Sequence, residues 1–341
     1  MVVVLGDIHF RDDKEYWILV CEEFLKWFKN WDKNNSNNVL VLVGDLVEDK
    51  LLSGKVADFL CRFIDYSKFK DIYICVGNHD RKEYHGNYQL SYEFYKNYSN
   101  IHIYEEAIEV NIEGLKTLFL PYYQGVNKSG KPMNEFYSNI YSNGEFSNNY
   151  DLMIGHFSSD DKAYFGGNDC ISNLDKLNAK KKILGHIHTR GVEEDTIYIG
   201  SVFAGKKSEN DYRRCSMIYD GKDWYEERLP LFNEFLTVTY PEKLPESRAI
   251  VPIYTVLNCS SESVALTKYK GIHLRRVTVD QIESPIRRSS DMERQFSSIK
   301  DMDTNLLFKS FVESLDPPLD KEIIKDSKSR LINFQKKSSI A

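Results

Sequence analysis

Five short blocks place aspartate, asparagine and histidine directly behind apolar runs: Gly6-Asp7-Ile8-His9, Gly44-Asp45-Leu46, Gly77-Asn78-His79-Asp80, Gly155-His156 and Gly185-His186-Ile187-His188. Carboxylate oxygen, amide oxygen and imidazole nitrogen, with no thiolate, form a mixed donor set that suits Mn²⁺, Fe²⁺ or Zn²⁺ better than a soft ion. Aspartate can also bridge two cations. In Asp7-Ile8-His9 and His186-Ile187-His188 the donors stand at i and i+2, on one side of an extended segment. Two such cations side by side activate a shared water for hydrolysis of a phosphate ester. A single Gly-His or Gly-Asp pair is more often a turn than a ligand. Five blocks in this order are not expected by chance, and five of the eight histidines (9, 79, 156, 186 and 188) fall within them. His85, His102 and His273 receive no role.

The elements that must position these residues are legible as short apolar runs at 2–5, 39–43, 72–76, 118–120, 152–154, 183–184 and 197–199, read as buried strands. Between the first two, Trp17, Val20, Cys21, Phe24, Leu25, Phe28 and Trp31 recur at helical spacing. A second helix buries Val56, Phe59, Leu60, Phe63 and Ile64. This alternation predicts an α/β layered fold. Ligands of such sheets gather at the carboxyl ends of strands, and the glycine before each donor is expected to supply a sharp turn there. Residues 124–150, rich in Asn, Ser, Gly and Tyr, read as a loop excursion. A catalytic domain is placed at 1–230 and a small accessory domain at 231–284, with β-like pieces at 235–240, 253–257 and 274–279. A polar linker comes next at 285–303 and then a helical tail at 304–341. The first tail helix presents Phe308, Phe311, Val312 and Leu315, and the second Ile323, Ile324, Leu331 and Phe334.

At 341 residues the chain is long for one core. Its 42% hydrophobic and 28% charged content is ordinary for a globular protein. No run approaches about 18 apolar residues, so no membrane span is expected. The apolar start Met1-Val2-Val3-Val4-Leu5 has no basic leader and reads as a strand, not a signal peptide. Cysteines at 21, 61, 75, 170, 215 and 259 show no CxxC spacing and read as reduced thiols of a cytoplasmic protein. The net charge of −6 argues against a generally basic nucleic-acid coat. Metal-binding carboxylates contribute to that total, however, and bound cations reverse the sign locally. Lys180-Lys181-Lys182, Arg213-Arg214, Arg275-Arg276 and Arg287-Arg288 are candidate phosphate-binding patches. For any one of them alone, solvated surface charge is the commoner outcome.

The five blocks resemble the signature of the calcineurin-like metallophosphoesterase superfamily, D-x-H, G-D, G-N-H-[DE], G-H, G-H-x-H, over about residues 1–205. The resemblance implies a two-sheet β-sandwich flanked by helices, here with a small α+β accessory domain and a C-terminal helical tail. It implies two divalent metal ions, with Mn²⁺ the first choice. Asp7, His9 and His188 would bind one, Asn78, His156 and His186 the other, and Asp45 would bridge. His79 would sit beside them near the scissile phosphate. Within the superfamily the chain resembles SbcD-type double-strand-break repair nucleases, including the nuclease subunits of phage recombination complexes. Tyr198-Ile199-Gly200-Ser201 matches their Y-x-G-S segment, which makes Ser201 a substrate-binding candidate. The accessory domain stands where that family has a DNA-capping domain. The tail resembles the segment it docks on an SbcC-type, SMC-like ATPase. One departure is Glu48, where some members carry a second histidine three residues after the bridging aspartate. It bears on the balance of exonuclease and endonuclease activity.

The resemblance thus implies a DNA exonuclease and endonuclease of recombination, replication and repair. It would act on double- and single-stranded DNA, as a homodimer (through helices within 84–100) and without a membrane. Its location would be cytoplasmic, in the host cytoplasm for a phage-encoded chain. A hydroxide bridging the metals would attack phosphorus. His79 would protonate the leaving 3′-oxygen or stabilise the transition state. Asp80 either orients that imidazole or caps the loop. Two other readings compete. A small-substrate phosphatase or cyclic-nucleotide phosphodiesterase on the same fold has little need of residues 231–341. A scaffold with a vestigial site would not keep competent residue types at every inspected position. Amphipathic helices most often pack on their own core. The polar linker favours a partner surface for these.

Overall fold

Val2-Val3-Val4-Leu5 has no polar face, the pattern of a strand covered on both sides, and in the computed structural model all four side chains are buried. The structure describes residues 1–84, 87–122, 149–159, 170–171, 178–210 and 213–278. Most of the 124–150 excursion, His85, Arg287-Arg288, the 285–303 linker and the 304–341 tail lie outside these residues.

In chain order the chain forms β1 (Val2–Leu5), α1 (Glu15–Asn30), β2 (Val39–Leu42), α2 (Gly54–Tyr66) and β3 (Asp71–Cys75). Next come β4 (Ile101–Tyr104), β5 (Ile108–Ile112), β6 (Leu115–Leu120), β7 (Leu152–His156) and β8 (Lys182–Gly185). They are succeeded by β9 (Gly191–Glu193), β10 (Thr196–Tyr198), β11 (Cys215–Tyr219) and β12 (Trp224–Arg228). The last are β13 (Asn233–Thr239), β14 (Val251–Leu257), α3 (Glu262–Lys268) and β15 (His273–Val277). One six-stranded sheet has the order β12-β11-β1-β2-β3-β4 and a second the order β9-β10-β8-β7-β6-β5. The central strands β1, β2 and β3 run parallel, as do β6, β7, β8 and β10.

The sheets pack face to face. Val2, Val4, Val39 and Val41 of the first meet Phe119, Leu152, Ile154 and Ile183 of the second. Val3, Leu5, Leu40 and Leu42 point the other way, onto α1 and α2, as the two-residue period of a strand requires. Phe24 and Phe28 of α1 and Phe63 of α2 fill that layer, with the Phe28 and Phe63 rings stacked at 4.4 Å. Each buried phenyl contributes about 1.5–3 kcal/mol. Ser53 caps α2 by accepting from the Val56 N–H at 3.0 Å. Trp31, the last residue of the helical pattern, lies just past α1 with extended backbone. It remains buried, and its indole donates to Glu227 at 2.7 Å.

Residues 233–277 add a three-stranded parallel sheet, β13-β14-β15, and α3, a helix the sequence pattern did not locate. Its own small core holds Val238, Val256, Cys259, Ala265 and Tyr269. Phe235, Val251 and Ile253 instead join the α1 layer, where the Phe235 ring sits 6.0 Å from Trp17. All the described residues belong to one compact unit, Met1–Asp280. Among them no helix is long and apolar enough to cross a membrane.

Candidate metal centre

Each block sits at the carboxyl end of a parallel strand. Asp7 follows β1, Asp45 follows β2, Asn78 and His79 follow β3, His156 ends β7 and His186 follows β8. Hydrogen bonds tie the turns together. The Asp45 carbonyl accepts from the N–H groups of Ile8 (3.1 Å) and His9 (2.9 Å). The Asp7 carboxylate accepts from the His186 N–H at 3.0 Å, and that of Asp45 from the His79 N–H at 2.8 Å. Strand ends from both sheets therefore converge on one point.

The expected turning role of the glycines is corrected by the backbone. Of the five block glycines only Gly44 has a left-handed φ, +96°. In three blocks the donor itself takes that conformation, at His9 (54°), Asp45 (45°) and His186 (75°). What the glycines provide is close approach. A Cβ on Gly77 would stand 2.2 Å from Asp45 Oδ1, and one on Gly185 2.5 Å from Asp7 Oδ1.

Among the described residues three groups of donors result; one joins His9, Glu48 and His79, and the other two match the expected ligand sets. Asp7, His9 and His188 offer atoms within 4.8 Å of one another, and so do Asp45, His156 and His186. Asp45 Oδ2 lies 3.2 Å from His156 Nε2 and 3.7 Å from His9 Nε2, between the groups. Asn78 Oδ1 meets His156 Nε2 at 3.1 Å and His186 Nδ1 at 3.0 Å. The residues fit divalent cations on one further ground. Asp7 Oδ1 and His9 Nε2 are buried without a hydrogen-bond partner. Such orphaned groups are costly unless something charged satisfies them. The backbone presets the imidazole of His156, whose Nδ1 donates to the Val43 carbonyl at 2.7 Å and leaves Nε2 facing Asp45 and Asn78.

Charge follows the same layout. Burial opposes ionisation of Asp45, but His156, His9 and His79 together hold it well below the usual carboxylate range. Burial, then the neighbouring His156, pushes His186 down to about 3, so it stays neutral. His156 rises to about 10 against the effect of burial, because Asp45 and Asp7 surround it.

His79 lies beside both groups, its ring 5.1 Å from His9. Its Nδ1 meets the Glu48 carbonyl at 2.6 Å. Asp80 is fully buried and accepts from the backbone N–H groups of Leu46 (2.8 Å), Gly77 (2.8 Å) and Val47 (3.4 Å). Those bonds match the capping alternative and leave orientation of His79 to Glu48. Burial and then Asp45 raise Asp80 to about 6. Ser201 is buried too. Its hydroxyl donates to the Phe203 carbonyl and accepts from Arg214 at 3.0 Å, so it is engaged within the fold.

Sequence reading missed Glu209, buried in this region, because no spacing links it to the blocks, and it placed Arg214 in a candidate phosphate-binding patch, whereas the Arg214 guanidinium is buried and donates to His188, Ser201 and Glu209 within the fold. Beside the first group a cleft of about 220 Å³ is lined by Arg11, Trp17, Glu48, Lys206 and Glu209 together with His9 and His188. The cleft sets two cations, Arg11 and Lys206, next to the donor atoms.

The chain matches the calcineurin-like phosphoesterase family over residues 1–190. No curated protein matches it in sequence. Among solved structures, the phosphopantetheinyl hydrolase PptH from Mycobacterium tuberculosis is 11% identical, with 59% of this chain and 88% of that one covered at a TM-score of 0.37. A protein of unknown function from Aquifex aeolicus is 18% identical, with 52% and 87% covered at a TM-score of 0.30. The matched span holds all five blocks and both donor groups, and on that match the chain belongs to the calcineurin-like phosphoesterase family.

Proposed function

We propose that the protein is a two-metal phosphodiesterase that cuts DNA. In this reading it is the nuclease subunit of an SbcD-type recombination and repair assembly with an SMC-like ATPase. The observation that carries it is the convergence of five strand-end turns on two adjacent donor groups sharing Asp45. Asp7, His9 and His188 would hold one divalent cation, and Asn78, His156 and His186 the other. When bound, such cations lower the pKa of a water and neutralise charge on phosphate oxygens. His79 works beside them. With Nδ1 committed to the Glu48 carbonyl, a proton gained at Nε2 is the one it can give to the leaving 3′-oxygen. Asp80 keeps the Asp45 and Asn78 turns in place.

Support for DNA over a small monoester comes from the residues beyond the matched domain. The β13-β14-β15 sheet packs against α1 and exposes Arg275 and Arg276, and cations of that kind suit a phosphate backbone. The tail beyond residue 304 is the proposed ATPase-binding segment, and homodimerisation completes the assembly.

The test is degradation of linear duplex DNA by the purified chain with Mn²⁺, beside p-nitrophenyl phosphate and an Asp45→Ala control. DNA cleavage by the wild type alone, with little monoester hydrolysis, is expected. A preparation ending at residue 300 should cleave equally and fail to bind the ATPase. Rapid monoester hydrolysis with intact DNA would overturn the nuclease reading in favour of a phosphatase.

A further inference from the structure

The backbone brings His9 and Glu48 together. Past the ends of β1 and β2 the two segments stay paired, with the Phe10 N–H donating to the Leu46 carbonyl at 3.0 Å and the Glu48 N–H to the Phe10 carbonyl at 3.1 Å. The Glu48 carbonyl in turn meets His79 Nδ1 at 2.6 Å. His9, Glu48 and His79 therefore offer donor atoms within 4.8 Å of one another, as the other two groups do. Resting on the two-cation reading above, we propose that this third group is a Zn²⁺ site, one that shares His9 with the Asp7/His9/His188 group and takes His79 out of proton transfer when filled.

Three observations carry this. His9 is only 6% exposed, and neither of its ring nitrogens has a hydrogen-bond partner. Nε2 lies 3.7 Å from Asp45 Oδ2, whereas Nδ1 stands 2.9 Å from a Glu48 carboxylate oxygen without a hydrogen bond to it. A cation in the Asp7/His9/His188 group would satisfy one nitrogen and leave the other buried and unmet, which is costly. The donor set is the second observation. Two imidazoles and one glutamate form a recurrent zinc set that keeps a further position open, and it suits Mn²⁺ less well, because that ion favours oxygen. Access is the third, since His9 and Glu48 both line the cleft beside the centre. One charge opposes the cation. Arg11 stands 3.4 Å from Glu48, although Asp13 also holds it at 2.8 Å, so this site fills after the other two. An imidazole that serves two cations gives up its N–H proton, here from His9 Nδ1 to solvent. His79 Nδ1 faces the Glu48 carbonyl, which leaves Nε2 for the Zn²⁺. That is the nitrogen otherwise free to protonate the leaving 3′-oxygen.

The experiment is calorimetric titration of the chelator-stripped full chain with Zn²⁺ and, separately, with Mn²⁺, for wild type, Glu48→Gln and His79→Ser. Glu48→Gln keeps the backbone carbonyl that holds His79. Wild type should take up three equivalents of Zn²⁺ but two of Mn²⁺, and the third Zn²⁺ should release a proton, read as a heat that changes with the ionisation enthalpy of the buffer. Both variants should take up two equivalents of either metal. In DNA cleavage supported by Mn²⁺, added Zn²⁺ should stop the wild type at a lower concentration than Glu48→Gln. If His79→Ser fails to fold, Glu48→Gln decides alone. Wild type that stops at two Zn²⁺, or a folded variant that still takes three, would overturn the site. Equal sensitivity of cleavage to Zn²⁺ would overturn the capture of His79. Wild type that binds fewer than two equivalents of both metals would instead sink the two-cation reading beneath the proposal.

Discussion

Replacing Asp80 by alanine separates its two possible roles. Its carboxylate accepts from Leu46 and Gly77 at 2.8 Å each, and from Val47 at a weak 3.4 Å. These bonds join the turn after β2 to the turn after β3. Alanine would leave two strong donors buried without an acceptor, at about 1–3 kcal/mol each. Part of that loss is returned, because burying the carboxylate is itself unfavourable, as its rise to about 6 indicates. A net destabilisation of about 2–4 kcal/mol is expected from the balance of the two effects. At about 2–4 °C per kcal/mol for a domain of this class, the melting temperature should fall by about 5–15 °C. The assay is thermal unfolding of metal-stripped wild type and Asp80→Ala, followed by circular dichroism at pH 7, with turnover measured alongside. A wild-type melt with turnover lost would refute the reasoning and make Asp80 the residue that orients His79.

His79→Ser should keep the wild-type Mn²⁺ stoichiometry in a titration and lose about 10²- to 10⁴-fold in turnover, the usual scale of a positioned acid. Full activity would remove His79 from the mechanism. Gly44→Ala places a Cβ 2.2 Å from His156 Nδ1 on a backbone with φ of +96°. The left-handed conformation costs about 1–2 kcal/mol, and disturbing the bond from His156 to Val43 about 1 more. Lower thermal stability together with weaker Mn²⁺ uptake is expected, and an unchanged melt would show that the turn tolerates a side chain.

The parts of the fold that could be read from sequence are those where burial is two-sided and local. β1 and β2 are continuous apolar runs, β3, β7 and β8 each hold a shorter one beside a single charged or histidine residue, and α1 and α2 carry one apolar face each. The edge strands were harder. β12, Trp224–Arg228, holds two glutamates and an arginine because one of its faces meets solvent, so its apolar signal is weak. The same holds for β5, in which Glu109 and Asn111 interrupt the run. α3 is seven residues long and buries only Ala265 fully, which leaves too little periodicity to detect.

The donor atoms were legible for a chemical reason. A block joins strand end, turn and ligand in a few adjacent residues, so its type and spacing stand out without any knowledge of the fold. The groups behind the donors obey no such rule. Glu209 reaches His188 through a 3₁₀ turn and an Arg214 bracket, and Glu48 reaches His9 across a strand pair. Those pairings exist only once the sheets have closed. The glycines show the same division. Sequence predicts that they turn the chain, yet at Gly77 and Gly185 their work is to let Asp45 and Asp7 come within about 2.5 Å of where a Cβ would be. The turning falls instead on His9, Asp45 and His186, side chains held at positive φ. Strain of that kind persists only where surrounding structure over-determines it. Here the surrounding structure is the set of bonds that backbone N–H groups donate to the carboxylates of Asp7, Asp45 and Asp80, so two carboxylates that would hold the cations, Asp7 and Asp45, also hold the backbone that presents them.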